Sequence, residues 1–277
     1  MKYFKNLNIL IFITSFVKFT MHDDIISKQQ NFWSGKFGSS YIERNDSIDK
    51  INQAYKKQTG ITVEDIFKEI FGNLDKDLSI LELGCNIGTK LQILNNMGFK
   101  KLHGVEINQD AANLAQNNNP SFHIFNSSIE EFDSEKNHFD IVFTSGVLIH
   151  VDPNNITQII KKMVNLSKKY IFGFEYFDEN ISEIKYRENN NVCWKMNYPK
   201  RIQELFPNLK LVKNKKIFYN NDNLCDIAYL LEKQFTINND YKIIAPEPSG
   251  AKKSTRGGHN KEIIMLNIET FKKFCLK

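Results

Sequence analysis

Cysteine is scarce in this chain, and what there is lies scattered. The four cysteines, Cys85, Cys193, Cys225 and Cys275, show no C-x-x-C spacing, so neither a disulfide framework nor a zinc site is suggested and no metal is expected. That usage fits a reducing cytoplasm, the compartment expected for the protein. A long hydrophobic run is missing too. The one leader-like stretch, Leu7 to Val17 behind Lys2 and Lys5, resembles the start of a signal peptide but is too short to span a bilayer comfortably. No small-residue cleavage site follows it, and Met21 could itself open the translated chain. Stable membrane insertion is therefore not expected. Internal repeats are absent.

A basic body is the third absence. Residues 251–277 hold seven basic groups against Glu262 and Glu269, and this tail alone accounts for the formal net charge of +5. With Lys2, Lys5 and Lys18 set aside as well, residues 21–250 sum to −3. Long-range attraction to a phosphate backbone has little support, and no nucleic-acid partner is expected. Hydrophobic content of 41% and charged content of 25% are those of an ordinary globular protein.

What is present is a rhythm. Residues 22–46 are polar with interleaved aromatics, among them Trp33 and Tyr41, which suit either a lid or packing onto a core. Helices are expected from Asp46 or Ser47 to about Gln58, and after Thr62, where Asp65 stands in the capping-box position. From Leu78 short apolar runs alternate with amphipathic segments. Strands read at 78–83, 101–106, 121–125, 139–144 and 169–175, with helices at 88–97, 109–117, 154–168 and 199–206. Two last strands, 209–218 and 224–233, flank the turn Asn220-Asn221-Asp222-Asn223 and read as an antiparallel hairpin. The expected fold is α/β and Rossmann-like: a seven-stranded, mainly parallel sheet covered by helices on both faces. Its expected organisation is an apolar leader over 1–21, a helical cap over 22–75, a catalytic domain over 76–233, and a basic, partly disordered tail over 234–277.

The first strand delivers Glu82-Leu83-Gly84-Cys85-Asn86-Ile87-Gly88-Thr89 into a helix. Open α/β sheets bind ligands beyond the carboxyl ends of their strands, where such a loop sits. A nicotinamide loop needs G-x-G-x-x-G, and Asn86 and Thr89 occupy two of its three glycine positions. Asn tolerates positive φ, so Asn86 remains compatible with a tight turn. The second strand ends in Glu106-Ile107, placing an acid about twenty residues past the glycines, where ribose hydroxyls are met in dinucleotide folds.

Glu82, Gly84, Gly88 and Glu106 in register on successive strands resemble the cofactor site of class I methyltransferases that use S-adenosyl-L-methionine. The resemblance implies that Gly84, Cys85, Asn86 and Gly88 surround the methionine moiety, with Glu82 reaching its ammonium. It places Glu106 on the ribose and Ile107 against the adenine. Where many such enzymes carry an Asp after the third strand, this chain has Ser127-Ser128-Ile129, so a hydroxyl of Ser128 or backbone near Ile129 would meet the adenine. Ser145 follows the fourth strand, and His150 lies in the segment that would pass beside the transferable methyl. The D/N-P-P-Y signature of amino-directed DNA methyltransferases is absent there.

Further blocks, Phe32-Trp33-Ser34-Gly35-Lys36-Phe37-Gly38 with Tyr41 to Asn45, and Glu175-Tyr176-Phe177 with Glu183 to Arg187, resemble the pseudaminic acid biosynthesis-associated methylases over about residues 30–233. This chain reads Glu188-Asn189-Asn190 where that family continues with Gly-His, so the acceptor can differ. The resemblance implies a small-molecule acceptor: a sugar or nonulosonic-acid precursor, anionic or nucleotide-linked, in surface-glycan biosynthesis. His150 is the expected general base, with Glu175 and Tyr176 as alternatives, and Arg44, Tyr186 and Arg187 as acceptor-binding residues. A protein or RNA acceptor, or a non-catalytic cofactor-binding role, is the competing expectation.

Overall fold

The computed structural model describes residues 29–42 and 47–234. The leader, Arg44 and the tail lie outside the described residues. No helix among those described is long and apolar enough to cross a membrane.

Seven strands form one sheet in the order β3-β2-β1-β4-β5-β9-β8. They are β1 (Ser79–Leu83), β2 (Lys101–Glu106), β3 (His123–Asn126), β4 (Phe139–Ser145), β5 (Ser167–Tyr176), β8 (Leu209–Phe218) and β9 (Cys225–Lys233). β1 to β5 run parallel, while β9 pairs antiparallel with both β5 and β8. This is the Rossmann-like architecture expected from the sequence, with its antiparallel closing hairpin. β8 is an edge strand whose Lys210, Lys213, Lys215 and Lys216 protect an otherwise open ladder.

Helices cover both faces. On one side α2 (Ile48–Thr59), α3 (Val63–Phe71) and α4 (Thr89–Asn96) build a core from Ile66, Phe67, Ile70, Phe71 and Leu91 against Phe143 and Phe172. Ser47 caps α2, and Thr62 and Asp65 form the expected reciprocal capping box on α3. On the other side α6 (Ile156–Leu166) and α7 (Tyr198–Leu205) pack Ile159, Ile160, Met163 and Ile202 onto Val142, Ile171 and Tyr229. Each fully buried side chain of this kind contributes roughly 1.5–3 kcal/mol. The α6 pattern stops two residues short of its expected end, because buried Ser167 already opens β5 and pairs with Phe139.

The structure adds detail in two stretches. Residues 29–34 and α1 (Lys36–Ile42) are helical, and β6 (Ser182–Glu183) pairs with β7 (Trp194–Lys195) in the insertion after β5. The β6–β7 arm ends in a tight turn in which Tyr186 and Asn189 exchange backbone hydrogen bonds. Arg187 and Glu188 at its tip have φ of 48° and 67°, the backbone of a type I′ turn made without glycine.

Helix α2 is tied to the sheet by a buried carboxylate. Asp226 on β9 accepts from the hydroxyls of Tyr55 (2.7 Å) on α2 and Tyr219 (3.1 Å). Burial pushes its pKa up from 3.8 to about 7, although both tyrosines favour the charged form. A carboxyl with a raised folded-state pKa adds stability that is full below its unfolded value and lost as pH rises through the folded one. Asp226→Asn should therefore flatten the stability profile between pH 3.8 and about 7 in urea titrations; an unchanged slope would contradict this origin.

Candidate functional site

The β1–α4 loop turns through three left-handed residues, Gly84 (φ 74°), Asn86 (φ 50°) and Gly88 (φ 77°). A Cβ on Gly84 would lie 2.6 Å from Cγ2 of Val147, so side-chain bulk is excluded at this position. Glu106, at the end of β2, fixes the loop from below. Its Oε2 accepts from the Asn86 backbone N–H and its Oε1 from that of Asn108, both at 2.8 Å. Burial raises the Glu106 pKa, and these backbone donors oppose the rise.

A cavity opens beside the loop, at the carboxyl ends of β1, β2 and β4. Its space, counted out into the solvent at its mouth, is about 980 Å³. Seven of the residues expected on the cofactor side line it: Gly84, Asn86, Glu106, Ile107, Ser128, Ile129 and Ser145. Three do not. Glu82 is buried beneath the loop, where burial raises its pKa, Lys90 opposes the rise and Glu106 adds to it. Gly88 acts as the N-cap of α4, and the Cys85 thiol packs inward against Gly104. The Ser128 hydroxyl is already engaged, donating to the Glu131 carboxylate and accepting from its N–H, each at 3.1 Å.

The 29–42 segment supplies wall residues that the sequence offered only as two alternatives. Trp33 and Tyr41 line this cavity together with Gln29, Gln30 and Gly38. Asn108 holds the segment in place: its Oδ1 caps α5 (Gln109–Asn118), while its Nδ2 donates to the carbonyls of Trp33 and Ser34, both at 3.3 Å. An Asn two residues past the strand-end acid, just before α5, was the available signal for Asn108. Lys90 also lines the cavity.

A second cavity adjoins the first and shares Gln29, Trp33 and His150 with it; Phe32, Asp152, Asn190, Asn191 and Val192 complete its lining. His150 ends a single 3-10 turn, Leu148–His150. Its Nδ1 lies 2.7 Å from the Val192 carbonyl, which can only accept, so that nitrogen carries the proton and Nε2 keeps a lone pair. The ring lies between Trp33 (centroids 4.5 Å apart) and Tyr186 (4.9 Å), and burial lowers its pKa to about 4.

Four expectations are corrected by this geometry. Glu175 lines neither cavity; its buried carboxylate accepts from the backbone N–H groups of Val147 (3.3 Å) and Ile149 (3.4 Å). It positions the turn that carries His150, and its pKa is pushed up to about 7 by burial. Tyr176 also stays clear of both cavities, stacked edge-on against Tyr219 in the Asp226 cluster. Arg187 sits exposed at the tip of the β6–β7 arm with its guanidinium 5.6 Å from the Tyr186 ring centre. Tyr186 also lines neither cavity and instead packs its ring on His150, and Arg44 lies outside the described residues.

The residues fit S-adenosylmethionine. A strand-end acid, a loop closed to any side chain at Gly84, and apolar walls at Ile107 and Ile129 match its ribose, its methionine chain and its adenine. Oε2 of Glu82 is buried without a partner, which suits an ammonium reaching it through water.

Comparison with known proteins agrees. Residues 80–169, about a third of the 277, match the family model described as a methyltransferase domain. Comparison with curated proteins gives no match. Among solved structures, the fold is similar to the 1,6-didemethyltoxoflavin-N1-methyltransferase of Burkholderia thailandensis, bound to 1,6-didemethyltoxoflavin and S-adenosylhomocysteine. That likeness has a TM-score of 0.55 at 12% identity, over 78% of this chain and 90% of the other. It is also similar to magnesium protoporphyrin IX methyltransferase from Synechocystis PCC 6803 bound to S-adenosylhomocysteine, with TM-score 0.55, 9% identity and coverages of 75% and 99%. At these identities the likeness shows the fold. The domain match and the fold agree: residues 80–169 carry a methyltransferase domain, set in a Rossmann-like sheet of the kind these structures share. The chain is an S-adenosylmethionine-dependent enzyme, and that compound is its cofactor.

Glu106→Gln tests the loop clamp. An amide presents only one acceptor to two backbone donors, so affinity for S-adenosylhomocysteine should fall roughly tenfold or more, as expected for losing a charged hydrogen-bond acceptor. Calorimetry would read this beside an unchanged circular dichroism spectrum; wild-type affinity in the variant would contradict the clamp.

Proposed function

We propose that the protein transfers a methyl group to a hydroxyl of a small-molecule acceptor seated in the second cavity, with His150 as the general base. The observation that carries this is His150 itself: it lines both cavities and is fixed in the tautomer that leaves Nε2 able to take a proton. In this reading Glu106 holds the ribose, the 84–88 backbone the methionine chain, and Ile107 and Ile129 the adenine. Lys90 faces the carboxylate end. Bound S-adenosylmethionine supplies a methyl already activated on sulfur and leaves as S-adenosylhomocysteine.

The protein's part is alignment, exclusion of water and one proton. Trp33 and Tyr41 cover the cofactor side, and Glu175 keeps the His150 turn in place. A ring with pKa about 4 stays neutral across the physiological range, so Nε2 is ready whenever an acceptor hydroxyl arrives. The acceptor we favour is a sugar precursor of surface-glycan biosynthesis. Support comes from the blocks around Trp33 and Glu175 to Arg187, and from a cavity of amides, one acid and two aromatics.

The test is incubation of the full chain with S-adenosylmethionine and free sugars, nucleotide sugars and nonulosonic acids, beside RNA and protein, with mass spectrometry of the products. Methylated sugar is expected; methyl groups on RNA or protein alone would contradict the reading. His150→Gln should lower kcat roughly a hundredfold, the size of a general-base contribution. Wild-type activity should hold towards neutral pH and fall as pH drops through about 4, where the ring protonates.

A further inference from the structure

The second cavity has a polarity of its own. Asp152 faces it as an acid, and one of its oxygens already accepts from the backbone and side-chain nitrogens of Asn154, both at 2.8 Å. Gln29 stands beside it with its amide orientation fixed, since Oε1 accepts from the Asp152 N–H at 3.4 Å. The Gln29 Nε2 is buried without any partner. A buried amide donor left unpaired is costly unless a ligand oxygen meets it. Across the cavity Asn190 and Asn191 add further amides from the β6–β7 arm, and Phe32 and Trp33 add flat apolar faces.

We infer that this cavity selects a neutral or cationic hydroxylated ring over an anionic one, with Gln29 and Asp152 as the specificity-determining pair. The inference rests on the acceptor reading above and narrows it. Amides and a carboxylate offer a polyol paired donors and acceptors, and the aromatic faces take the ring's C–H surface. A ligand carboxylate or phosphate would meet the Asp152 charge at close range inside a partly desolvated space, where like charges repel more strongly than in water. An amino sugar gains from the same charge. The specificity thus runs against sugar acids and nucleotide-linked sugars, two classes that the sequence resemblance had admitted.

The test uses the full chain saturated with S-adenosylhomocysteine and three matched rings: glucose, glucosamine and glucuronate. Binding is read by saturation-transfer NMR and calorimetry. Glucuronate should bind roughly tenfold more weakly than glucose, with glucosamine at least equal to glucose, as a single nearby charge implies. Asp152→Asn should bring the three to within a few-fold of one another, while Gln29→Ala should weaken all three alike. Glucuronate binding as well as glucose, or a ratio unmoved by Asp152→Asn, would overturn the inference and leave the sugar reading standing. Binding of none of the three, with S-adenosylhomocysteine still bound, would overturn both.

Discussion

A single carboxylate, that of Glu106, holds together the parts on which the rest of the site depends. One oxygen takes the N–H of Asn86 in the β1–α4 loop, and the other takes the N–H of Asn108 at the start of α5. Charge-assisted hydrogen bonds to backbone donors are among the stronger ones, which offsets the cost of burying a charge at the strand end. Through Asn86 the carboxylate sets the left-handed turn that keeps the loop backbone bare. Through Asn108 it sets the residue that caps α5 and anchors the 29–42 segment over the cavity. Loop, strand-end acid and the 29–42 segment are thus one mechanical unit.

A parallel arrangement governs the other half. Glu175 spends its charge on backbone N–H groups of the turn after β4, and that turn presents His150. The insertion after β5 then supplies the Val192 carbonyl that selects the imidazole tautomer and the Tyr186 ring that packs on its face. Two buried carboxylates therefore act as braces, and His150, the base we propose, lies between the two cavities. Because the sheet order puts β4 between β1 and β5, these two braced segments come side by side.

The fold was largely legible in the sequence because each of its elements carries a local signature. Alternating apolar runs gave the sheet, Thr62 and Asp65 gave a helix start, and the four-residue polar turn gave the closing hairpin. The cofactor loop was legible for a similar reason: Gly84, Asn86 and Gly88 are residue types that positive φ demands. What could not be read depends on contacts distant in sequence. Glu175 and Tyr176 look like catalytic groups at a strand end, and only the packing shows one bonded to backbone and the other turned toward Asp226. Gln29, Asp152 and Asn191 gave no sign at all, since they meet across more than a hundred residues without a motif. Arg187 and Glu188 adopt positive φ although neither is a turn former, so the arm they cap was hidden.

The central claim is that the cofactor lies in the first cavity with its reactive end facing His150 and the second cavity. A crystal structure of the full chain with S-adenosylhomocysteine tests this most directly. The account predicts the ribose hydroxyls on Glu106, the adenine between Ile107 and Ile129, and the sulfur turned toward His150 and the space bounded by Gln29 and Asp152. Density for the ligand elsewhere, or a sulfur pointing away from His150 with the second cavity closed off from it, would contradict the account.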